Sequence, residues 1–453
     1  MKGNLIFKTD SYKPSHWAMV PDNTTYISEY FEPRKGEEIV FFGLQFDLKK
    51  LENFTIDIKT AQRIFKHHYG TLDFFNESGW EKLKTKYAGK LPIRIKALPE
   101  GTVIDSHNVL FTIENTDPEF FWLPGYIESM LMHVWYPSTV ATNSRNIKKV
   151  IKKYLEETGN VAGLPFKLHD FGYRGASSDE TAGRGGLAHL VNFQGSDTLM
   201  ALTYGEDYYG VLPDAFSIPA GEHSVFTAFG RDHEWEAYKH AMDKFPTGLL
   251  AIVADSYDIK NAVKNIFGGK LFFEVKDRTG TIILRPDSGN PVQLIPELLD
   301  ILDGRFGTTK NEKGYKILPD YLRLIWGDGI NIDSITAILE TMKQKGWSAD
   351  NIAFGMGGAL LQDVTRDDFG FAIKASWGLI NGREVDIYKD PITDKGKASK
   401  RGRLKLIKLN GEYKTVRENE YPELPNELKT VYENGVITQL QDWNEIRARA
   451  DVE

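Results

Sequence analysis

The chain has 453 residues, 41% hydrophobic and 26% charged, an ordinary globular balance that excludes disorder as a description of the whole. Its formal net charge of −7 argues against bulk attraction to nucleic acid or to an anionic membrane. With no cysteine, disulfides, thiolate nucleophiles and Cys-ligated zinc or iron–sulfur centres are excluded together.

The apolar start, Met1–Phe7, is too short for a signal peptide and Lys8 and Asp10 follow at once, so a cytoplasmic protein is expected. Residues 1–137 read as mainly β-rich, with short runs at Thr25–Phe31, Ile39–Phe42, Ile93–Ala97 and Val109–Ile113. The uncharged run Ser129–Ser144 contains His133, Pro137 and Asn143 and is too short and polar to span a bilayer. Asn143–Gly159 reads as a helix: Ile147, Val150, Ile151, Tyr154 and Leu155 recur at one-face spacing, and Gly159 is a natural stop.

From about residue 166 a strand–loop–helix rhythm takes over. Apolar runs at Lys167–His169, Ala188–Phe193, Phe216–Pro219, Leu249–Val253, Thr281–Leu284, Leu322–Trp326 and Ile352–Phe354 each lead into a polar or glycine-rich loop. The loop residues Asp170, Asp197, His223, Asp255, Arg285, Gly327 and Gly355 stand 26 to 42 positions apart, enough for one strand, loop and helix per unit. Seven such units predict a closed or nearly closed parallel α/β barrel over 138–375; an open doubly wound sheet is the alternative. In either, ligands bind at the C-terminal ends of the strands. After about Ile373 the rhythm stops and β-like runs return at Leu404–Leu409, Lys429–Tyr432 and Val436–Leu440. Residues 1–137 and 376–453 are therefore expected to form a second, β-rich domain from both chain ends.

The loops carry chemistry. In Arg285-Pro286-Asp287-Ser288-Gly289-Asn290, Arg suits bidentate phosphate contact and Asp suits a sugar hydroxyl or a hard cation. An internal Arg–Asp pair closing the turn is the plainer reading. Gly327-Asp328-Gly329 and Gly355-Met356-Gly357-Gly358 each precede a helical pattern, where glycine lets backbone approach a phosphate. Phe171 and Arg174 share one loop, and an aromatic there can stack on a flat heterocycle. His223 could be a base, a metal ligand or a nucleophile, or simply a structural histidine. Lys395, Lys397, Lys400, Arg401 and Arg403 form a basic segment, either a solvated loop or an arm over a polyphosphate.

In their order these segments resemble the nicotinamide phosphoribosyltransferase family. The resemblance runs through Thr9-Asp10-Ser11-Tyr12-Lys13, Tyr30-Phe31-Glu32 with Arg34, Glu114–Pro118, Thr139–Arg145, Leu168–Gly175, Arg285–Pro291, Asn351–Gly358 and Lys389-Asp390-Pro391. It implies a homodimeric type II phosphoribosyltransferase: an irregular α/β barrel with a β-rich domain from both chain ends. The implied reaction joins nicotinamide to phosphoribosyl pyrophosphate, giving nicotinamide mononucleotide and pyrophosphate. Mg²⁺ would assist, through ligands the sequence leaves unassigned, and ATP hydrolysis would be coupled through a phosphohistidine at His223. Phe171, and Tyr12 from the partner subunit, would clamp the nicotinamide ring; Asp197 would accept from its carboxamide, with Arg174 beside it. Arg285, Asp255 and Asp287 would serve the ribose and its phosphate. Gly327, Asp328, Gly357, Gly358 and Arg366 would form the 5′-phosphate cradle. Arg34, Lys374, Lys389 and Lys397 would lean over the pyrophosphate across the dimer interface. Met356 departs from the small polar residue usual at its position. The competing readings are a nicotinate phosphoribosyltransferase and a non-catalytic sugar-phosphate-binding regulator. No nucleic-acid or membrane partner is expected.

Overall fold

Six short segments form the central sheet, and the four longer ones carry apolar runs, as strands covered on both faces require. The six are β1 (Leu168–Asp170), β2 (Gly195–Ser196), β3 (Thr247–Val253), β4 (Thr279–Arg285), β5 (Leu322–Trp326) and β6 (Ile352–Met356). The computed structural model, which describes residues 3–393 and 398–452, joins them in one parallel sheet of order β2-β1-β6-β5-β4-β3. Register aligns the carboxyl ends: Asp170 lies between Ser196 and Met356, and Val253 pairs with Arg285. The sheet curls. The segment 216–220 bridges to Gly195 at one edge and to Ala251 at the other, so the expected barrel closes through isolated bridges rather than a seventh regular strand. Helices follow the strands, among them Asp179–Leu190, Pro291–Phe306 and Ile332–Gln344.

One expectation fails. Ala188–Phe193 is not a strand; its first residues end the helix Asp179–Leu190, which Ser178 opens by accepting from the Thr181 N–H. The strand of that unit is only Gly195–Ser196. The helix read at Asn143–Gly159 begins earlier, at Trp135, and runs to Thr158.

The chain divides into two compact units. One comprises Asn143–Gly205, Leu212–Val364 and the residues from Asp451, and holds the parallel sheet. The other comprises the chain to Thr142, Glu206–Val211 and Thr365–Ala450. Its seven-stranded sheet is antiparallel in every pairing and draws strands from both chain ends, such as Thr24–Glu32, Phe111–Asn115, Ala372–Ile380 and Lys429–Glu433. Ile93–Ala97 and Phe111–Asn115 alternate buried and half-buried residues, the period-two signature of a sheet with one covered face. Phe31, Phe111 and Phe371 stack within that core. The helices Leu44–Leu51, Ile58–Tyr69 and Glu77–Tyr87 pack on it between strand runs, so residues 1–137 are more helical than expected. No helix among the described residues is long and apolar enough to cross a membrane.

Candidate active site

The barrel unit carries a cleft of about 660 Å³ at the carboxyl ends of its strands. Phe171, Arg174, Asp197, Arg285, Asp287, Gly327, Asp328, Gly357 and Gly358 all line it. The volume falls in the usual range of small-ligand sites, about 300–1,000 Å³.

At one end, Phe171 leaves β1 with its N–H donated to the Met356 carbonyl of β6 (3.0 Å). The preceding Asp170 is buried, and its carboxylate accepts from the Gly172 N–H (2.7 Å). Burial pushes the Asp170 pKa up to about 6, the Gly172 N–H partly opposing. Asp197 follows β2; its N–H donates to the Asp170 carbonyl (2.9 Å). Its carboxylate is exposed, and Oδ1 accepts from the Ser217 hydroxyl (2.5 Å). Burial lowers the pKa of neighbouring His169, keeping that imidazole neutral.

Further along, Asp255 after β3 and Asp287 after β4 come together. Asp255 Oδ2 accepts from the Asp287 N–H (3.0 Å) and the Ser288 hydroxyl (2.5 Å). Its Oδ1 is buried without a hydrogen-bond partner, as is Arg285 Nε, which lies 4.0 Å from Asp287 Oδ1. His223 opens a short helix, with Nδ1 3.0 Å from Ser256 Oγ. Its Nε2 stands 3.6 Å from Asp255 Oδ1 and 3.9 Å from Asp287 Oδ2. Beyond β5, Gly329 adopts a positive φ of 61° and Asn331 caps the helix Ile332–Gln344 in a reciprocal capping box, so that helix begins at the cleft wall. A helix start favours an anion.

The remaining expected residues belong to the β-rich unit. Tyr12 is 60% exposed, and the neighbouring Lys13 pairs with Glu128. Arg34 Nε donates to Glu32 Oε1 (3.0 Å), and Lys400 pairs with the same carboxylate. Burial lowers the Lys374 pKa; Glu128 opposes that, while Arg34, Lys389 and Lys13 add to it. Arg34, Lys389 and Lys13 therefore stand close enough to Lys374 for their charges to be felt there. Arg366 is exposed, 3.6 Å from Asp367. Lys395 and Lys397 lie outside the described residues.

Ser217, Ser256, Ser288 and the carboxylate of Asp170 were not singled out from the sequence. Ser256 and Ser288 stand beside expected aspartates, a signal that was available. Ser217 lies within the run Phe216–Pro219, and nothing there ties it to Asp197, twenty positions away. Among the described residues no group of three or more His, Asp or Glu is set to hold a metal ion.

Residues 166–436 match the nicotinate phosphoribosyltransferase (NAPRTase) family, and residues 4–95 match the nicotinamide phosphoribosyltransferase N-terminal domain. A nicotinamide phosphoribosyltransferase of Xanthomonas campestris pv. campestris is 45% identical over 465 residues, covering 99% of this chain and 98% of that one. One from Acinetobacter baylyi is 33% identical, covering 98% and 97%. The fold is that of a Pyrococcus furiosus nicotinate-nucleotide pyrophosphorylase crystal structure (TM-score 0.62, 18% identity, 98% of this chain and 93% of that one). Human nicotinic acid phosphoribosyltransferase is similar (TM-score 0.57, 16% identity, 98% and 92%). The chain belongs to the nicotinate phosphoribosyltransferase family and, within it, to the nicotinamide phosphoribosyltransferases.

Proposed function

We propose that the cleft transfers the phosphoribosyl group of 5-phosphoribosyl 1-pyrophosphate to nicotinamide, giving nicotinamide mononucleotide and pyrophosphate. The observation that carries this reading is that Asp197 and Phe171 share one cleft with Arg285, Asp287 and two glycine-rich strand ends. A flat ring stacks on Phe171, and its carboxamide NH₂ donates to Asp197. Nicotinate would bring a second carboxylate there, and like-charge juxtaposition costs several kcal/mol. The relatives named nicotinamide phosphoribosyltransferases favour the amide, and so does the Asp197 carboxylate.

Catalysis is positioning joined to charge stabilisation. Phe171 holds the pyridine nitrogen in line with the anomeric carbon. As the bond to pyrophosphate breaks, the ribose becomes oxocarbenium-like. Asp287 and the unpartnered Asp255 Oδ1 accept from ribose hydroxyls, and Arg285 takes phosphate. Gly327, Asp328, Gly357 and Gly358 line the 5′-phosphate end. No protein nucleophile attacks the sugar. Mg²⁺, when bound, would neutralise the departing pyrophosphate. Asp255 and Asp287 would offer it hard carboxylate oxygens.

His223 is assigned the coupling to ATP. With Nδ1 beside Ser256, Nε2 is the nitrogen open to the γ-phosphoryl group; its lone pair forms the P–N bond as ADP leaves. The protein is read as a homodimer, with Tyr12 and the Arg34, Lys374, Lys389 and Lys397 cations reaching the site of the partner, and Arg366 serving phosphate. A cytoplasmic location fits this substrate set.

The test is product analysis with nicotinamide or nicotinate, with and without ATP. Nicotinamide mononucleotide should form, and ATP should raise its yield. Equal use of nicotinate would overturn the base assignment. In His223→Ala the ratio of turnover with ATP to turnover without it should fall to about one, the phospho-acceptor being gone. An undiminished ratio would remove His223 from the coupling.

A further inference from the structure

Phe171 does not stand over open space. A Cβ built on Gly355 would fall 2.0 Å from its Cε2, 2.2 Å from Cδ2 and 2.8 Å from Cζ. A Cβ on Gly327 would come 3.3 and 3.4 Å from Cε2 and Cδ2. Non-bonded carbons prefer about 3.5–4.0 Å, so the first of these sites admits no side chain while the ring stays.

Backbone conformation does not explain these glycines. Neither Gly327 nor Gly355 has a positive φ. Gly355 lies within β6, paired with His169 of β1, where glycine weakens a strand and marks close approach by another group. Here that group is the aromatic ring. The ring cannot retreat by moving its own backbone. The Phe171 N–H is bonded to Met356, and the Gly172 N–H is held by Asp170. Leu361 also packs close against Gly172, 2.5 Å from where a Cβ there would sit. Anything larger than hydrogen at 355 therefore drives the ring toward the cleft.

We infer that Gly355, seconded by Gly327, is a positioning residue that seats the Phe171 ring as the fixed wall of the base pocket. This rests on the reading of the cleft as a nicotinamide site and deepens it: a residue that touches no substrate sets how much room the base has. The three atoms nearest a Cβ at 355 all belong to the Phe171 ring, so a change at 355 acts on the base.

The test is a double-mutant cycle in the full-length protein. Steady-state kinetics compare the parent, Gly355→Ala, Phe171→Ala and the double variant. Gly355→Ala should raise the KM for nicotinamide by about tenfold or more, with the KM for phosphoribosyl pyrophosphate within about twofold. On the Phe171→Ala background the same change should cost less than about twofold, because nothing remains to displace. Equal loss for both substrates, or the same loss without the ring, would overturn the seat. Should Gly355→Ala fail to fold, the double variant, with no ring left to displace, should fold; a double variant that also fails would overturn the seat. A parent that does not use nicotinamide would sink the functional reading only. The seat is then judged by the crystal structure of Gly355→Ala, or of its mixture of conformers if the ring takes more than one position. It stands if the ring has moved into the cleft and falls if the ring is unmoved.

Discussion

A carboxylate discriminates between ligands only if its oxygens are aimed. At Asp197 the aim comes from two partners, the Asp170 carbonyl on its N–H and the Ser217 hydroxyl on Oδ1. The second oxygen is then the one left for a donor in the cleft. A hydrogen bond to a charged group is worth about 1.5–3 kcal/mol when its loss leaves the charge unsatisfied. Asp197 is exposed, so water replaces a lost partner and the lower end applies. Ser217→Ala should therefore raise the KM for nicotinamide about tenfold, through loss of aim rather than loss of charge. Asp197→Ser should cost more, and both should spare binding of phosphoribosyl pyrophosphate. Calorimetric titration with each substrate reads this directly; parallel loss of both would contradict the assigned role. Composition and spacing alone left Asp197 a marker in a strand-end loop, and its assignment came from the resemblance. Ser217 lay beyond both, because a hydrogen bond across twenty residues leaves no local pattern.

At the scale of the element, strand register does the assembling. Pairing of Met356 with Asp170 and of Asp170 with Ser196 sets three loop origins side by side. This was legible because buried parallel strands are apolar runs that end in polar residues. It failed at Ala188–Phe193, where a short apolar run has no period to separate strand from buried helix. Gly183 and Gly186 explain what the structure chose: they let the helix lie against Tyr204 and Ala201. The same register buries Asp170 at the root of the cleft, and its pKa of about 6 stands above the ordinary 3.8. The native state thus holds more protons than the unfolded chain between those values. Stability from this group is complete below pH 4 and is lost as pH rises through 6. Two pKa units correspond to about 3 kcal/mol. Asp170→Asn keeps an acceptor for the Gly172 N–H but does not titrate. Its unfolding free energy should therefore gain on the parent by up to about 3 kcal/mol between pH 4 and pH 7. Denaturant titrations across that range would refute the account if the difference stayed flat.

For the whole molecule, the residues assigned to one reaction fall in two compact units. Phe171, Asp197, Arg285 and Asp287 belong to the barrel; Tyr12, Arg34, Lys374 and Lys389 belong to the β-rich unit. The rhythm of the sequence changes near residues 166 and 373, whereas the units divide at Thr142/Asn143 and Val364/Thr365 and exchange the segment Glu206–Val211. The three helices between Leu44 and Tyr87 leave little trace in the sequence, because each has only 8 to 12 residues and so shows few turns of its period. Oligomeric state is a property of surfaces meeting and leaves no period in a single chain. If a homodimer shares its sites, Tyr12 of one protomer serves the Phe171 of the other, and the sharing can be read by mixing. Tyr12→Ala and Phe171→Ala should each be severely impaired as homodimers. In a mixed dimer of the two, one site carries both changes and the other carries neither. Random exchange of subunits should restore roughly one intact site in four. If each site were completed within its own chain, every site in the mixture would carry one lesion and no activity would return. Co-expression with two different tags, followed by tandem purification of the mixed dimer, raises the expected recovery to about one site in two and separates the outcomes cleanly.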